Sequence, residues 1–169
     1  MLELQLLRPE HAAALLTFEL ENRAYFDAWV PERGDDFFSH FDERHADLLA
    51  RQIRGTGYFH VLIGDKGEVL GRVNLVEIVD GCAEVGYRIA EHVTGHGLAT
   101  AGVKQVCALA SSEYGLTRLR ARAANGNHAS QAVLAHNGFT ATGVVLLNGR
   151  PTTSYERALI DTPSRDSRA

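Results

Sequence analysis

A glycine-rich turn between a predicted strand and a predicted helix is the strongest chemical signal in the sequence. The strand is predicted over residues 83–89, and Gly95 and Gly97 precede an alanine-rich helix that begins at Leu98. Glycines leave the backbone unobstructed, so successive N–H groups at a helix start can point at a phosphate, and the helix dipole adds to the attraction. Residues 95–100 are therefore predicted to bind a phosphorylated cofactor.

Two other glycine-rich phosphate sites do not fit this spacing. A dinucleotide-binding fingerprint requires Gly or Ala three residues after its second glycine, where this chain has Thr100. A P-loop requires Gly-Lys-Ser/Thr after four intervening residues, and residues 102–104 are Gly-Val-Lys instead. On the residues alone, the remaining alternative is a plain strand-to-helix turn without a ligand.

The elements that would position this turn alternate along the chain without a linker between two domains. Apolar residues at helical spacing predict a first helix that ends before Pro31 and a second helix over residues 41–54. Runs of β-branched and aromatic residues, separated by Gly-Asp-Lys-Gly and Asp-Gly, predict an antiparallel meander. Strands are predicted over 58–63, 69–79, 83–89, 119–124, 140–147 and 154–160, and later helices over 98–113 and 128–137.

Composition limits the class of protein. The 169 residues are 45% hydrophobic, which predicts one compact domain over residues 1–160, followed by a disordered polar tail over 161–169. A net charge of -4 leaves no broad basic face, so nucleic acid is not an expected partner. Cys82 and Cys107 stand alone, and no signal peptide or long apolar run occurs, so we expect a cytoplasmic protein that does not enter a membrane.

Metal and serine-hydrolase chemistry lack support in the sequence. His92 and His96 are spaced like a helical ligand pair, but Gly95 and Gly97 make this stretch a turn and no glutamate accompanies the histidines as in HExxH. No Gly-x-Ser-x-Gly nucleophile elbow is present. Neither a metal site nor a catalytic triad is predicted.

Several short motifs together resemble the GNAT superfamily of N-acetyltransferases, and within it the branch that acetylates the amino termini of ribosomal proteins. The resemblance covers most of the chain. Its stronger motifs are Ala83-Glu84-Val85-Gly86-Tyr87, Gly95-His96-Gly97-Leu98-Ala99-Thr100, Asn127-His128-Ala129-Ser130 and Asn137-Gly138-Phe139. Its weaker motifs are Glu21-Asn22-Arg23 with Trp29 and Pro31, and Gly71-Arg72-Val73.

The resemblance implies a fold and a cofactor. The fold is a mixed α+β one, with a mostly antiparallel twisted sheet of about seven strands, splayed between the fourth and fifth, and about four flanking helices. Acetyl-CoA is expected in the splay, with its pyrophosphate on the backbone of residues 95–100. The implied cofactor-binding residues are Tyr87, Arg88, Ile89, Gly95, His96, Gly97, Leu98, Ala99, Thr100, Asn127 and Ser130.

The chain departs from the family pattern at two positions. Thr94 stands where the family commonly has Gln or Arg, and Leu134 stands where other branches carry a tyrosine that protonates the leaving thiolate. Ser130 is then the implied acid. A second interpretation makes Asn127 a helix N-cap and Ser130 an ordinary residue of the first turn; both interpretations can hold together.

Acyl transfer to an amine needs a base and a donor for the oxyanion. Glu84, on the strand that borders the expected cleft, is the predicted general base, although an exposed strand glutamate without a role fits the pattern equally well. A backbone N–H near residues 87–89 is the expected oxyanion donor. Glu84 and Ser130 are thus the predicted catalytic residues.

The acceptor is predicted to be the α-amino group of a protein or peptide, attacked directly in a ternary complex. Near pH 7.5 roughly a third of an α-amino group is neutral, against roughly one in a thousand for a lysine side chain, so an α-amine asks less of a base. Trp29, Phe37, Phe38 and Glu84 are candidate acceptor contacts; the aromatics could equally be core. The alternatives are a small-amine acetyltransferase and a non-catalytic acyl-CoA sensor. In each case the protein is expected to be a monomer or a homodimer.

Overall fold

The computed structural model describes residues 2–28 and 33–159, and a seven-stranded sheet runs through them. The strands lie in the order β1-β2-β3-β4-β5-β7-β6, and every neighbouring pair is antiparallel except β4 with β5. The predicted α+β class with a mostly antiparallel sheet is confirmed. The strands are β1 (Glu3–Leu6), β2 (Tyr58–Ile63), β3 (Val69–Val79), β4 (Cys82–Ile89), β5 (Arg118–Ala124), β6 (Thr140–Leu147) and β7 (Arg150–Ala158).

Six α-helices occur in the described part of the chain, rather than the predicted four. The first predicted helix is divided at Asn22, whose Nδ2 donates to the carbonyl of Phe18 at 2.9 Å and so competes with the regular helical hydrogen bonds. The helices are α1 (Ala12–Glu21), α2 (Arg23–Asp27), α3 (Asp35–Ser39), α4 (Phe41–Arg54), α5 (Leu98–Ser112) and α6 (His128–His136). None of the helices described has the length and apolar content needed to cross a membrane.

The last strand begins earlier than predicted. A two-residue turn at Asn148 and Gly149, both with positive φ (51° and 75°), closes the β6–β7 hairpin, so β7 starts at Arg150 rather than at Ser154. Such turns match the twist of the strands and fix their register. The prediction of 154–160 was therefore wrong at its start, and its last residue and the predicted tail lie outside the described residues.

A hydrophobic core lies on each face of the sheet. One core packs α5 and α6 against the sheet, and the other packs α1, α2 and α4 against the opposite face. Helix α5 lies close to the strands because Gly102 has no side chain; a Cβ there would come within 3.2 Å of Val73. Cys107 is buried in this core, as its surroundings in sequence predicted.

Strands β4 and β5 pair over a short stretch and then separate. Residues 82–84 pair with residues 118–120, whereas the strands continue to Ile89 and Ala124. The edge of β4 beyond Glu84 therefore has backbone donors and acceptors that β5 does not satisfy, and such groups need another partner. The predicted splay lies at this point.

Candidate active site

A cavity of about 380 Å³ lies at the carboxyl end of β4, between α2, α5 and α6. It brings together the glycine turn at residues 95–100 and the motif at residues 127–130, which 26 residues separate in the chain. Ten of the eleven residues predicted to bind the cofactor line this cavity, namely Tyr87, Arg88, Ile89, Gly95, Gly97, Leu98, Ala99, Thr100, Asn127 and Ser130. The eleventh, His96, is exposed in the turn and is not part of the lining.

The turn before α5 has the geometry of an anion site. Gly95 and Gly97 have φ of 82° and 78°, a region that favours glycine, and a Cβ at either would meet nothing within 4 Å. Gly97 is the N-cap of α5, no side chain caps the helix, and its first turn holds no acidic residue. The N–H groups of the first helical turn are free of intrahelical partners and face this open space, which fits a bound diphosphate.

Ser130 lies at the cavity wall with its hydroxyl held in place. The Tyr87 hydroxyl lies 2.6 Å from Ser130 Oγ and donates to the Ser130 carbonyl at 3.2 Å. Burial raises the pKa of Tyr87 to about 12, so this phenol stays protonated at neutral pH. No local pattern in the sequence indicates this contact, because it joins β4 to α6 across 43 residues.

Asn127 acts as the N-cap of α6, as one of the two interpretations had it. Its Oδ1 accepts a hydrogen bond from the backbone N–H of Ser130 at 3.1 Å. Asn127 also forms part of the cavity lining. A cofactor contact by Asn127 stays a prediction that the geometry allows.

Glu84 does not lie in this cavity. It lines a second cavity of about 330 Å³ over β5 and β7, and its Oε2 accepts two hydrogen bonds from Arg122, at 2.8 and 3.1 Å. A carboxylate already bound to a guanidinium is a poor acceptor for a further proton. A base role for Glu84 stays a prediction, and these contacts give it less support than its place on the strand did.

Phe37 and Phe38, two of the predicted aromatic contacts for the acceptor, are not among the residues that line the cavity. Phe37 packs in the core beneath α3 and α4, and the guanidinium of Arg33 lies 4.0 Å from its ring centre. Phe38 stacks edge-on against Phe37 and carries Arg23 over its ring at 4.5 Å. Trp29 lies outside the described residues.

Residues of α2 and α6 line the cavity without having been predicted. Tyr25 and Phe26 follow the helix break at Asn22, and that break was not visible in the sequence pattern. The α6 residues recur at helical spacing on one face, and this spacing is the signal from which they could have been found. They are Ala129, Ala132, Val133 and His136.

A buried charge cluster borders the cavity on the α1 face of the sheet. Glu19, 1% exposed, accepts from Arg72 at 2.7 Å through Oε2. Its Oε1 lies 3.3 Å from Arg33 Nε and 3.4 Å from Arg88 Nη1. Arg88 also lies over the ring of Phe26, at 4.9 Å.

A family model for the acetyltransferase (GNAT) domain matches residues 1–140. Together with the splayed sheet and the glycine turn, this match shows that the chain belongs to the GNAT acetyltransferases. It is an acyltransferase, and its acyl donor is acetyl-CoA. The resemblance found in the sequence is confirmed.

Individual relatives are named for two kinds of acceptor, ribosomal proteins and polyamines. The Bacillus subtilis protein named "Putative ribosomal N-acetyltransferase YdaF" is 28% identical over 151 residues, which are 83% of this chain and 78% of that protein. The structure of ribosomal-protein-S5-alanine acetyltransferase from Vibrio fischeri superposes with a TM-score of 0.89 at 20% identity, covering 95% of this chain and 94% of that one. Spermidine N-acetyltransferase from Vibrio cholerae, in complex with CoA and spermine, gives 0.76 at 17% identity, covering 94% and 95%. At these identities the two structures show the fold alone.

Proposed function

We propose that the protein acetylates the α-amino group of a protein or peptide, by direct attack in a ternary complex with acetyl-CoA. The observation that carries this proposal is the composition of the larger cavity, whose described lining contains no aspartate or glutamate. A lysine or polyamine acceptor needs a carboxylate to balance its charge and to help remove a proton. An α-amine needs less help, because roughly a third of it is already neutral near pH 7.5.

Different residues of the cavity would bind different parts of the cofactor. The glycine turn and the first turn of α5 would hold the diphosphate, and the unpaired edge of β4 at residues 87–89 offers backbone groups to the rest of the cofactor and to the oxyanion. When bound, the thioester supplies the acetyl group. No cysteine lines the described cavity, which supports direct transfer to the amine rather than an acetyl-cysteine step.

Ser130 is the group placed to hold a proton for the leaving sulfur, and Tyr87 positions it. A phenol that stays protonated can donate a hydrogen bond to Ser130 Oγ and so leave the serine's own proton free for the leaving sulfur; the proton that the amine nitrogen loses on acetylation then replaces it. We expect Ser130→Ala to lower kcat about 100-fold and Tyr87→Phe about tenfold, with the affinity for CoA changed less than twofold. Steady-state kinetics and calorimetry with CoA measure both; equal kcat in all three proteins would contradict the role.

Release of free CoA in the presence of candidate amines tests the proposal. Three acceptors are compared: a peptide with a free N-terminal serine, the same peptide with a blocked N-terminus and one lysine, and spermidine. We expect kcat/KM to be at least about tenfold higher for the free N-terminus, with the acetyl group located on the α-nitrogen by mass spectrometry. A preference for spermidine would overturn the proposal, and tight CoA binding without turnover on any amine would favour a sensor.

A further inference from the structure

Positive charge is in excess where the α1 face of the sheet borders the cavity. Three guanidinium groups surround the single carboxylate of Glu19, and Asp27 adds one weaker negative influence on Arg88. Three cations thus face two anions in the described residues. Buried charge of one sign is costly unless a counter-ion approaches it, so the cluster is an incomplete ion-pair network.

Arg33 and Arg88 have donors to spare, whereas Arg72 does not need another partner. Arg72 makes the short contact to Glu19, at 2.7 Å, and is buried. Arg33 and Arg88 share the other oxygen at 3.3 and 3.4 Å, and the buried Arg33 Nε makes no hydrogen bond. Arg88 also lines the larger cavity, and its guanidinium lies 4.9 Å from the ring centre of Phe26, another lining residue, so this arginine connects the charge cluster with the cavity.

The open space beside Gly86 on β4 would let an acceptor reach Arg33 and Arg88. Alternation along the strand puts Arg88 and Gly86 on the face opposite Tyr87, away from the α5 side. Gly86 is exposed, and a Cβ there would meet nothing within 4 Å, so space lies open beside the arginine. A group that enters over Gly86 would meet Arg88 before it reaches Ser130's side of the strand.

We propose that Arg33 and Arg88 form a subsite for a carboxylate on the acceptor, a few bonds from the amine that is acetylated. The inference rests on the proposed function and deepens it by naming the acceptor's charge. A guanidinium matches a carboxylate in geometry as well as in sign, and it repels a polycation. The carboxylate can belong to an acidic side chain next to the N-terminus or to the free carboxyl group of a short acceptor.

Matched peptides test this subsite. Peptides that begin Ser-Asp, Ser-Ala and Ser-Lys and are otherwise identical are compared with Ser-Ala dipeptide as the free acid and as the amide. We expect kcat/KM for the Ser-Asp peptide to exceed that for Ser-Ala about tenfold, and Ser-Lys to have the lowest value. If the subsite binds the free carboxyl group of a short acceptor, the dipeptide acid should exceed its amide by a similar factor. Raising the salt from roughly 0.05 to 0.5 M should narrow the Asp/Ala ratio.

Two arginine variants separate the subsite from general charge effects. The Asp/Ala ratio is kcat/KM for the Ser-Asp peptide divided by kcat/KM for the Ser-Ala peptide. Arg33→Gln should bring this ratio to within about twofold of one, because it removes half of the proposed subsite. Arg44→Gln is the control: Arg44 lies over the same Phe37 ring, at 5.4 Å, but is paired with Asp36 on the surface, and its loss should leave the ratio unchanged. Thermal melting of each variant checks that the fold persists, and the salt series needs no variant at all.

The outcomes distinguish the two claims. Acetylation of all peptides at rates independent of the second residue, or fastest with lysine, overturns the carboxylate subsite and leaves the proposed function standing. Acetylation of spermidine but of no peptide overturns the proposed function and the subsite with it. An Asp/Ala preference that Arg33→Gln and Arg44→Gln lower equally shows that the preference comes from the overall field of the protein, and so contradicts the subsite.

Discussion

The two faces of the sheet hold their buried polar groups in different states. On the α5 face, His60 and Tyr87 are neutral and fully hydrogen-bonded: His60 Nδ1 donates to the Val73 carbonyl at 3.0 Å, and Nε2 accepts from the Tyr114 hydroxyl at 2.7 Å. On the α1 face, Glu19 forms ion pairs with Arg72 at 2.7 Å and with Arg88 at 3.4 Å. The difference indicates that the α5 side relies on backbone donors and fixed hydrogen bonds, whereas the α1 side attracts or repels molecules by charge.

Removing the buried carboxylate of Glu19 on the α1 face should have the largest effect. Glu19→Gln takes away the shared ion-pair partner of Arg33, Arg72 and Arg88, and breaking a buried ion pair in this way costs about 3–5 kcal/mol of unfolding free energy. Urea denaturation measures the loss. Asp36→Asn is the surface control, since Asp36 is 74% exposed beside Arg44, and it should cost less than about 0.5 kcal/mol. Equal losses of unfolding free energy in the two variants would contradict the prediction that the buried cluster contributes more to stability than the surface ion pair.

Blocking the backbone site on the other side of the sheet should abolish cofactor binding rather than folding. Gly97→Val places a branched side chain where φ is 78° and in the open space before α5, so we expect the Kd for CoA to rise at least about tenfold. Gly115→Val is a matched control, because Gly115 has φ of 67°, an equally open Cβ position and no part in the cavity lining. Both variants should lose similar stability, and calorimetry should find weak CoA binding only in the first.

The neutral face should make stability depend on pH. Burial lowers the pKa of His60 to about 4, against roughly 6.5 in the unfolded chain, so the unfolded state binds the extra proton between these values. Stability is therefore unaffected above about pH 6.5 and is lost as the pH falls, by roughly 2 kcal/mol at pH 5. Urea denaturation measures the free energy of unfolding at pH 7.5 and 5.0. Between these pH values, His60→Gln should lose less of this free energy than the wild type, by the amount just given. The exposed His92→Gln should keep the wild-type difference.

The smallest effect is expected from Glu84, which lies on the charged face but outside the larger cavity. Because Arg122 occupies its carboxylate, Glu84→Gln should change kcat less than about threefold and leave the pH–rate profile in place. A rate that falls mainly at low pH in Glu84→Gln would instead restore the base role predicted from the sequence. Arg122→Gln separates the two interpretations, since freeing the carboxylate should change the rate only if Glu84 accepts the amine proton.

Elements with strong local signals were predicted with the bounds that they have. The alternation and turn residues around β2 and β3, and the helical spacing with glycine behind α4, depend on neighbours a few residues away. The break at Asn22 was missed because it depends on a side chain that bonds its own helix instead of extending it. The start of β7 was predicted too late because the Asn148-Gly149 turn, which decides the register of the β6–β7 hairpin, was not recognised.

In the candidate site, too, features that depend on consecutive residues were predicted, and contacts between distant residues were not. The sequence by itself determined the glycine turn and the start of α5, because a backbone anion site needs only consecutive residues with the right conformational freedom. Only the tertiary structure decided the partners of Ser130, Glu84 and Glu19. Those contacts join side chains that are from 14 to 69 residues apart, and nothing in the local pattern around either partner records where the fold will bring them together.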